Sequence, residues 1–175
     1  MNNRASYSVL FLGTGNSARS IMAEAILNRE GRGKFATCSA GLHTDPELDP
    51  RAIELLNRMH FDTGALRAKN WSEFTGGDAP AFDFVFTVCD SATLLARSTF
   101  PGSPVFAHWG IPDPAKIGGN EAQVRLAYAD TFRMLSNRIM IFVNLPLRSL
   151  DRLTMQRELD SIGRANGAKA AVVAA

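Results

Sequence analysis

Short apolar runs rich in β-branched and aromatic residues alternate along the chain with longer stretches in which apolar residues recur every three or four positions. The first pattern is typical of buried strands, and the second is typical of helices that pack on one side. Strands are predicted over residues 8–12, 34–39 (ended by Ala40-Gly41), 82–89 and 105–108. Helices are predicted over residues 18–30, from Asp49, over residues 91–96, from Asn120 to Leu145, and from Ser149 as the cap to Gly163.

The residues between these segments fit such boundaries. Gly31 follows the first helix, and Asp49-Pro50 has the form of an N-cap followed by proline at the first helical position. Residues 63–81 are rich in Gly, Ala and polar residues, which predicts a loop with a helical turn near Trp71. Because strands alternate with helices, we expect an α/β domain with a four-stranded parallel sheet and helices on both faces.

The composition fits a single domain. The chain has 175 residues, 46% of them hydrophobic, so one packed core is predicted over residues 1–163, followed by a disordered tail of residues 164–175. The net charge of +2 is spread along the chain, which argues against a nucleic-acid partner. Neither a leader pattern nor a membrane-spanning apolar run is visible. Two cysteines, Cys38 and Cys89, make no disulfide framework, so we expect a cytoplasmic protein with no membrane partner.

The sequence GTGNSARS joins the first predicted strand to the first predicted helix, at a carboxyl end of the sheet where ligands bind in such folds. Gly13 and Gly15 are expected to supply positive φ values and a close approach of the backbone to a ligand. Successive backbone N–H groups and the positive end of the helix dipole favour an oxyanion. Arg19 can hold two oxygens of a tetrahedral anion, and Asn16 tolerates a left-handed turn. Hydroxyl groups are supplied by Thr14, Ser17 and Ser20.

The simplest alternative is an ordinary glycine-containing turn with an incidental arginine. Nucleotide binding is disfavoured, because the loop lacks both GxxxxGK[ST] and the third glycine of a dinucleotide fingerprint. A second stretch supports a site: HWGIPDPA, residues 108–115, follows the fourth predicted strand and therefore lies at the same end of the sheet. Asp113 is placed there to protonate a leaving oxygen, although an Asp-Pro pair also commonly caps a turn.

Together these stretches resemble the low-molecular-weight protein tyrosine phosphatase family, and within it the bacterial arsenate reductases. The likeness is carried by VLFLGTGNSARSIMAEAIL, FDFVFTVCD, HWGIPDPA and RMLSNRIMIFVNLPLRSLD, from about residue 8 to residue 163. Ala115 follows Pro114, as in the reductases, where the phosphatases carry a tyrosine that helps to hold phosphotyrosine. The resemblance therefore implies a phosphatase-like α/β fold and argues against phosphotyrosine specificity.

The resemblance also implies roles for individual residues. Arg19 and Asp113 would be catalytic, Asp113 as the general acid, and Ser20 would donate a hydrogen bond to the nucleophile. Phosphate, arsenate or a similar oxyanion would be the ligand, and a thiol donor protein or a small thiol would be a partner only of an active reductase. No cofactor and no metal are implied. The anion-binding residues would be Gly13, Thr14, Gly15, Asn16, Ser17, Ala18 and Arg19, with Asn16 and Ser20 supporting the loop.

The place of the family's nucleophile is taken by Gly13. In the family this residue is a cysteine, whose pKa is lowered by the same backbone dipoles that bind the anion. Glycine cannot form the covalent intermediate. The reductase relay also needs two later cysteines: Cys89 stands at the first place, as a candidate redox thiol or as a buried strand-end cysteine, while the second place falls on residues 96–97, which are Ala and Arg. Cys38 and His108 are expected to be structural.

Three hypotheses follow. The first is a non-catalytic family member that binds phosphate, arsenate or a phosphorylated partner. The second is a genuine arsenate reductase or phosphatase whose nucleophile was removed by mutation, so that whether the chain is an enzyme stays open. The third is an interaction protein that reuses the fold. The set formed by Arg19, Asn16, Ser20 and Asp113 favours the first over the third, since a chain without an anion has no physical need of it.

Overall fold

The computed structural model describes residues 6–94 and 100–165. Its strands are β1 (Tyr7–Gly13), β2 (Phe35–Gly41), β3 (Phe84–Thr87) and β4 (Val105–His108). Its α-helices are α1 (Arg19–Glu30), α2 (Pro50–Arg58), α3 (Glu121–Val143) and α4 (Arg152–Arg164), and short 3₁₀ helices cover Trp71–Phe74, Asp90–Leu94 and Pro114–Lys116. The end of the helix predicted over residues 91–96, the pair Ala96 and Arg97, and residues 166–175 of the predicted tail lie outside the described residues.

The four strands that the structure describes form one parallel sheet in the order β2-β1-β3-β4. β1 pairs with β2 over its whole length, from Tyr7 opposite Phe35 to Gly13 opposite Gly41. On its other side β1 pairs with β3, from Val9 onwards. β1 therefore lies between β2 and β3. The connection into β2 moves to one side of β1, and the next connection moves back to its other side. Open parallel sheets bind ligands at such a point, and the loop GTGNSARS begins there.

The two faces of the sheet are covered by different layers. Val9 and Phe11 of β1 point into a large apolar cluster that contains buried residues of all four α-helices of the described chain. Leu10 and Leu12 point into a smaller cluster on the opposite face, which includes residues of the 3₁₀ helices Trp71–Phe74 and Asp90–Leu94. The predicted α/β class with a four-stranded parallel sheet and helices on both faces is confirmed, with the difference that short 3₁₀ turns and loops cover the second face.

The second strand is longer than predicted. Ala40 and Gly41 were expected to end it, but both belong to β2. Gly41 lies opposite Gly13 in the ladder and donates its backbone N–H to the carbonyl of Lys69 at 2.8 Å. Gly41 therefore has a backbone neighbour on each side. The strand predicted over residues 82–89 is shorter, since only Phe84–Thr87 pairs as a strand.

Polar side chains cap three of the four described α-helices. Asp49 caps α2 and Asn120 caps α3, as their positions in the sequence predict. The cap predicted for the last helix is wrong: Asp151 accepts from the backbone N–H of Thr154 at 2.9 Å, whereas the Ser149 hydroxyl donates to a carbonyl before the helix. A carboxylate in this place also interacts favourably with the helix dipole. Among the described helices, none is long and apolar enough to cross a bilayer.

Candidate functional site

Four segments meet at the carboxyl end of the sheet. The loop of residues 13–20 follows β1, and it is approached by residues 41–45 after β2, residues 88–91 after β3 and residues 109–115 after β4. The loop surrounds a cavity of about 180 Å³. This cavity is lined by the residues from Gly13 to Ser20, together with His43, Asp45, Asp113 and Ala115. The structure thus brings the predicted loop residues and Asp113 together, and it adds two residues of the segment after β2.

The backbone of the loop is polarised. The carbonyl groups of residues 13–15 accept hydrogen bonds of 2.9 to 3.1 Å from backbone N–H groups within residues 42–45, and the carbonyl of Ser17 accepts one from the N–H of Asp49. In the part of the chain that the structure describes, no backbone N–H of residues 14–18 donates to a protein acceptor. Because these residues line the cavity and precede the positive end of α1, this row of donors can receive an oxyanion.

The left-handed turn of the loop lies at Asn16. Its φ is 54°, whereas Gly13 and Gly15 are not among the residues with positive φ, so the prediction that these two glycines supply positive φ is wrong. Each of them leaves room for a neighbour instead. A Cβ at Gly15 would overlap the carboxylate of Asp45, and a Cβ at Gly13 would lie 2.8 Å from Oγ of Ser20. The backbone at position 13 therefore admits a side chain if the Ser20 hydroxyl gives way.

A network of buried hydrogen bonds fixes the side chain of Asn16. Its amide nitrogen donates to Oγ of Ser20 at 3.0 Å and to Oγ of Ser39 at 2.7 Å, and its oxygen accepts from the backbone N–H of Lys69 at 2.7 Å. The Ser39 hydroxyl donates in turn to Glu24, whose carboxylate lies 3.1 Å from Nζ of Lys69. The side chains of this ion pair are only 6% and 9% exposed. These bonds offset the cost of a left-handed conformation at a non-glycine residue.

Arg19 is the first residue of α1 and reaches the segment after β4. Its Nη1 donates to the carbonyl of Ile111 at 3.0 Å and its Nη2 donates to Oδ2 of Asp113 at 2.9 Å. Asp113 uses its other oxygen, Oδ1, to accept from the backbone N–H of Ala115. The same carboxylate therefore caps the turn that begins at Pro114 and lines the cavity.

The segment that carries Asp113 is fixed from behind by Arg138 of α3. Nη1 of Arg138 donates to the carbonyls of Trp109 and Gly110 at 2.9 and 3.1 Å, and Nη2 donates to the carbonyl of Gly163 in α4 at 3.1 Å. Burial lowers the pKa of this guanidinium, which is stabilised by its carbonyl partners. The packing of α3 and α4 therefore sets the position of the segment that carries Asp113.

The two cysteines lie in different surroundings. Cys89 is 4% exposed and lies beside the loop, where Thr14 donates its hydroxyl to the sulfur at 3.2 Å and Oγ of Ser91 lies 3.4 Å away. Cys38 lies in β2, and burial, helped by the Glu24 carboxylate, raises its pKa to about 12. Cys38 is therefore a neutral thiol near pH 7, which fits a structural role.

His108 ends β4 on the wall of a second cavity of about 610 Å³, which adjoins the first and also borders Cys89 and Asp113. Its Nδ1 lies 2.8 Å from Oγ1 of Thr87 and its Nε2 lies 3.1 Å from Oδ1 of Asp90. Both ring nitrogens are engaged with neighbours, as expected for a histidine that fixes the strand end. Among the described residues, no group of three or more His, Cys, Asp or Glu side chains is arranged to hold a metal ion.

Sequence reasoning missed the residues that reach the loop from distant segments. Asp45 accepts a hydrogen bond from the Ser17 hydroxyl at 2.7 Å, and Lys69 anchors Asn16 through its backbone and Glu24 through its side chain. The sequence around Asp45, HTDPELDP, has only the polar and proline-rich character of a surface loop. Its pairing with the loop carbonyls is a tertiary contact, for which the sequence carries no local signal.

Comparison with known sequences gives a consistent set of similar proteins. The family model described as low molecular weight phosphotyrosine protein phosphatase matches residues 8–152. An arsenate reductase of Oceanobacillus iheyensis is 29% identical over 134 residues, which covers 77% of this chain and 93% of that protein. An arsenate reductase of Bacillus cereus is 32% identical over 116 residues, which covers 66% of this chain and 83% of that protein.

Comparison with solved structures points the same way. The arsenate reductase from Archaeoglobus fulgidus is 26% identical, with a TM-score of 0.57 over 75% of this chain and 98% of that chain. An arsenate reductase in the phosphate binding state is 25% identical, with a TM-score of 0.55 over 77% of this chain and 97% of that chain. The tyrosine phosphatase Wzb from Escherichia coli K30, in complex with sulphate, is 21% identical with a TM-score of 0.62 over 78% of this chain and 95% of that chain, a likeness of fold alone.

Proposed function

Because the chain belongs to the low molecular weight phosphotyrosine protein phosphatase family, we propose that its loop of residues 13–19 binds phosphate, arsenate or a similar oxyanion. The observation that carries this proposal is the polarity of the loop. The carbonyls of residues 13–15 and 17 accept hydrogen bonds from backbone N–H groups of residues 42–49. The N–H groups of residues 14–18 donate to no protein acceptor among the described residues. Arg19 adds a cation beside these donors, and arsenate reductases among the similar proteins, one of them in a phosphate binding state, support an anion of this kind.

We further propose that the bound anion is not converted. The family resemblance expects a cysteine at position 13, and Gly13 has no side chain that can attack. The hydroxyls of Thr14, Ser17 and Ser20 do not replace it, since none of them hydrogen-bonds to a histidine or a lysine within residues 6–94 and 100–165. Loss of the nucleophile in a covalent mechanism lowers turnover by several orders of magnitude, but it need not weaken binding.

The ion pair between Arg19 and Asp113 links the anion-binding role of Arg19 to the general-acid position of Asp113. An anion that enters the cavity competes with the Asp113 carboxylate for the guanidinium, because both offer oxygen acceptors to the same N–H groups. Binding therefore weakens this pair and leaves the carboxyl group beside the anion. That is the place where a general acid is useful.

We expect Arg19→Ala to weaken the binding of phosphate and arsenate by about 10- to 100-fold, the effect of removing a charge-assisted hydrogen-bond donor. Isothermal titration of the purified protein with each anion measures the loss directly. Arg51→Ala is a matched control, because Arg51 is an exposed arginine of α2 whose partner is Glu121, outside the cavity. It should leave both affinities unchanged.

Two outcomes would contradict the proposed anion binding. If neither anion binds the natural protein, the loop is no longer an anion site, and an interaction protein that reuses the fold becomes the better hypothesis. If the anions bind with the same affinity to Arg19→Ala, they bind elsewhere on the protein. Turnover of an aryl phosphate by the unaltered chain, lost in Asp113→Asn, would refute the absence of catalysis alone.

A further inference from the structure

Asp45 places a carboxylate on the wall of the cavity that the loop surrounds. Its backbone N–H donates to the carbonyl of Gly15 at 3.0 Å, and its Oδ2 accepts from the Ser17 hydroxyl at 2.7 Å. The absence of a side chain at Gly15 is what makes room for it, since a Cβ there would overlap the carboxylate. Two loop residues are thus arranged around Asp45, which fixes an acidic group where an oxyanion would be held.

The charges around the cavity leave Asp45 uncompensated. The titratable side chains on its wall are those of Arg19, His43, Asp45 and Asp113. Arg19 is paired with Asp113 at 2.9 Å, and no lysine or arginine of the described residues forms an ion pair with Asp45. An anion in this cavity would meet both the loop N–H groups and the carboxylate of Asp45. A fully deprotonated oxyanion would set its lone pairs against those of the carboxylate, which is unfavourable in a confined site.

A protonated oxyanion removes this conflict. An ionised carboxylate only accepts hydrogen bonds, and Ser17 fills only part of its acceptor capacity. An oxyanion that carries an O–H group can donate it to Asp45 while its other oxygens accept from the loop N–H groups. Inorganic phosphate and arsenate keep at least one proton at neutral pH. Sulfate has none, and most phosphate monoesters have lost theirs, because their second pKa is about 6.

We propose that Asp45 accepts a hydrogen bond from a protonated oxygen of the bound anion and so selects inorganic phosphate and arsenate over sulfate and over phosphate monoester dianions. This inference rests on the proposed function, since it assigns the ligand of the same loop. It identifies Asp45 as a specificity-determining residue. The ligand class becomes the free, protonated tetrahedral oxyanion rather than a phosphorylated protein.

The test is a titration of the natural protein at about pH 7 with phosphate, arsenate, sulfate and phenyl phosphate. We expect phosphate and arsenate to bind at least about tenfold more tightly than sulfate and phenyl phosphate, because a hydrogen bond to a charged group is gained instead of a repulsion. In Asp45→Asn, whose amide can donate, sulfate should bind about tenfold more tightly while phosphate changes less, so that the preference disappears. Glu47→Gln removes a charge from an exposed residue of the same segment and should keep the preference.

The possible results separate the two proposals. If no anion binds the natural protein, the proposed function fails. If anions bind but sulfate equals phosphate in the natural protein, only the inference about Asp45 is overturned, and this comparison needs no variant. If Asp45→Asn and Glu47→Gln strengthen all four anions equally, Asp45 acts through general repulsion, which also overturns the inference. Loss of the phosphate preference in Asp45→Asn alone supports it.

Discussion

We expect that replacing Gly13 by cysteine gives this protein a phosphatase activity, which we propose that the unaltered chain lacks. The new thiol would stand before α1, beside the N–H groups of residues 14–18, an environment that lowers the pKa of a thiol and favours the nucleophilic thiolate. A Cβ at this position points towards Oγ of Ser20, 2.8 Å away, so the hydroxyl must shift slightly and can then donate to the sulfur. Asp113, as the proposed general acid, would protonate the leaving group.

The rate of hydrolysis of p-nitrophenyl phosphate measures this gain, and we expect an increase on the order of 10³-fold or more over the natural protein, the scale on which a covalent nucleophile acts. An assay at about pH 5.5 keeps a fraction of the ester protonated on its phosphate group. Gly13→Ser controls for mere occupancy of the position. Adding Asp113→Asn should remove about 100-fold of the gain.

A null result would also be informative. If Gly13→Cys still binds phosphate but hydrolyses nothing, the loop needs more than the missing thiol to act.

Arsenate reduction coupled to a thiol protein should remain at background even in the active variant. The chain has no cysteine after Cys89, so it lacks the last thiol of the relay that the family resemblance implies.

Glu24→Ala is expected to destabilise the fold by about 3 to 5 kcal/mol, because it leaves the buried ammonium group of Lys69 without a counter-ion. The two side chains are 3.1 Å apart and less than a tenth exposed. Urea unfolding followed by circular dichroism measures the change in the free energy of unfolding. The double variant with leucine at position 24 and methionine at position 69 should recover most of the loss, since apolar pairs often replace buried ion pairs without cost.

The surface pair between Arg67 and Glu73 is the matched control. It is shorter, at 2.7 Å, but its side chains are 61% and 41% exposed. Exposed ion pairs contribute little, so Glu73→Gln should cost less than about 1 kcal/mol. If Glu24→Ala lowered the free energy of unfolding no more than Glu73→Gln does, water would have to reach Lys69. The hydrogen-bond network around Asn16 would then be hydrated.

The sequence predicts those parts of the molecule that rest on local chemistry. Asp49 before Pro50 marks a helix start because the carboxylate needs only the nearby N–H groups of Arg51 and Ala52, and the structure has these bonds at 2.9 and 3.2 Å. The loop and its place at the end of β1 follow in the same way from a strand pattern, a glycine-rich turn and a helix pattern.

What the sequence does not predict depends on segments that meet only after folding. The left-handed residue of the loop is Asn16 rather than a glycine, because Ser39 and Lys69, far along the chain, supply the hydrogen bonds that hold it there. Asp45 reaches the loop because β2 continues beyond its predicted end and carries the following residues alongside the loop. A pattern confined to neighbouring residues has no means of indicating either contact.

The backbone at Gly13 has a consequence for the history of the gene. Its φ lies outside the left-handed region, and the nearest obstacle to a side chain is one serine hydroxyl. The glycine codons GGT and GGC become the cysteine codons TGT and TGC by a change of the first base alone. A lineage that uses one of these two glycine codons can therefore lose or regain the thiol through one nucleotide substitution while the loop around it stays intact. Closely related genes with either residue at this codon would be expected to share one scaffold.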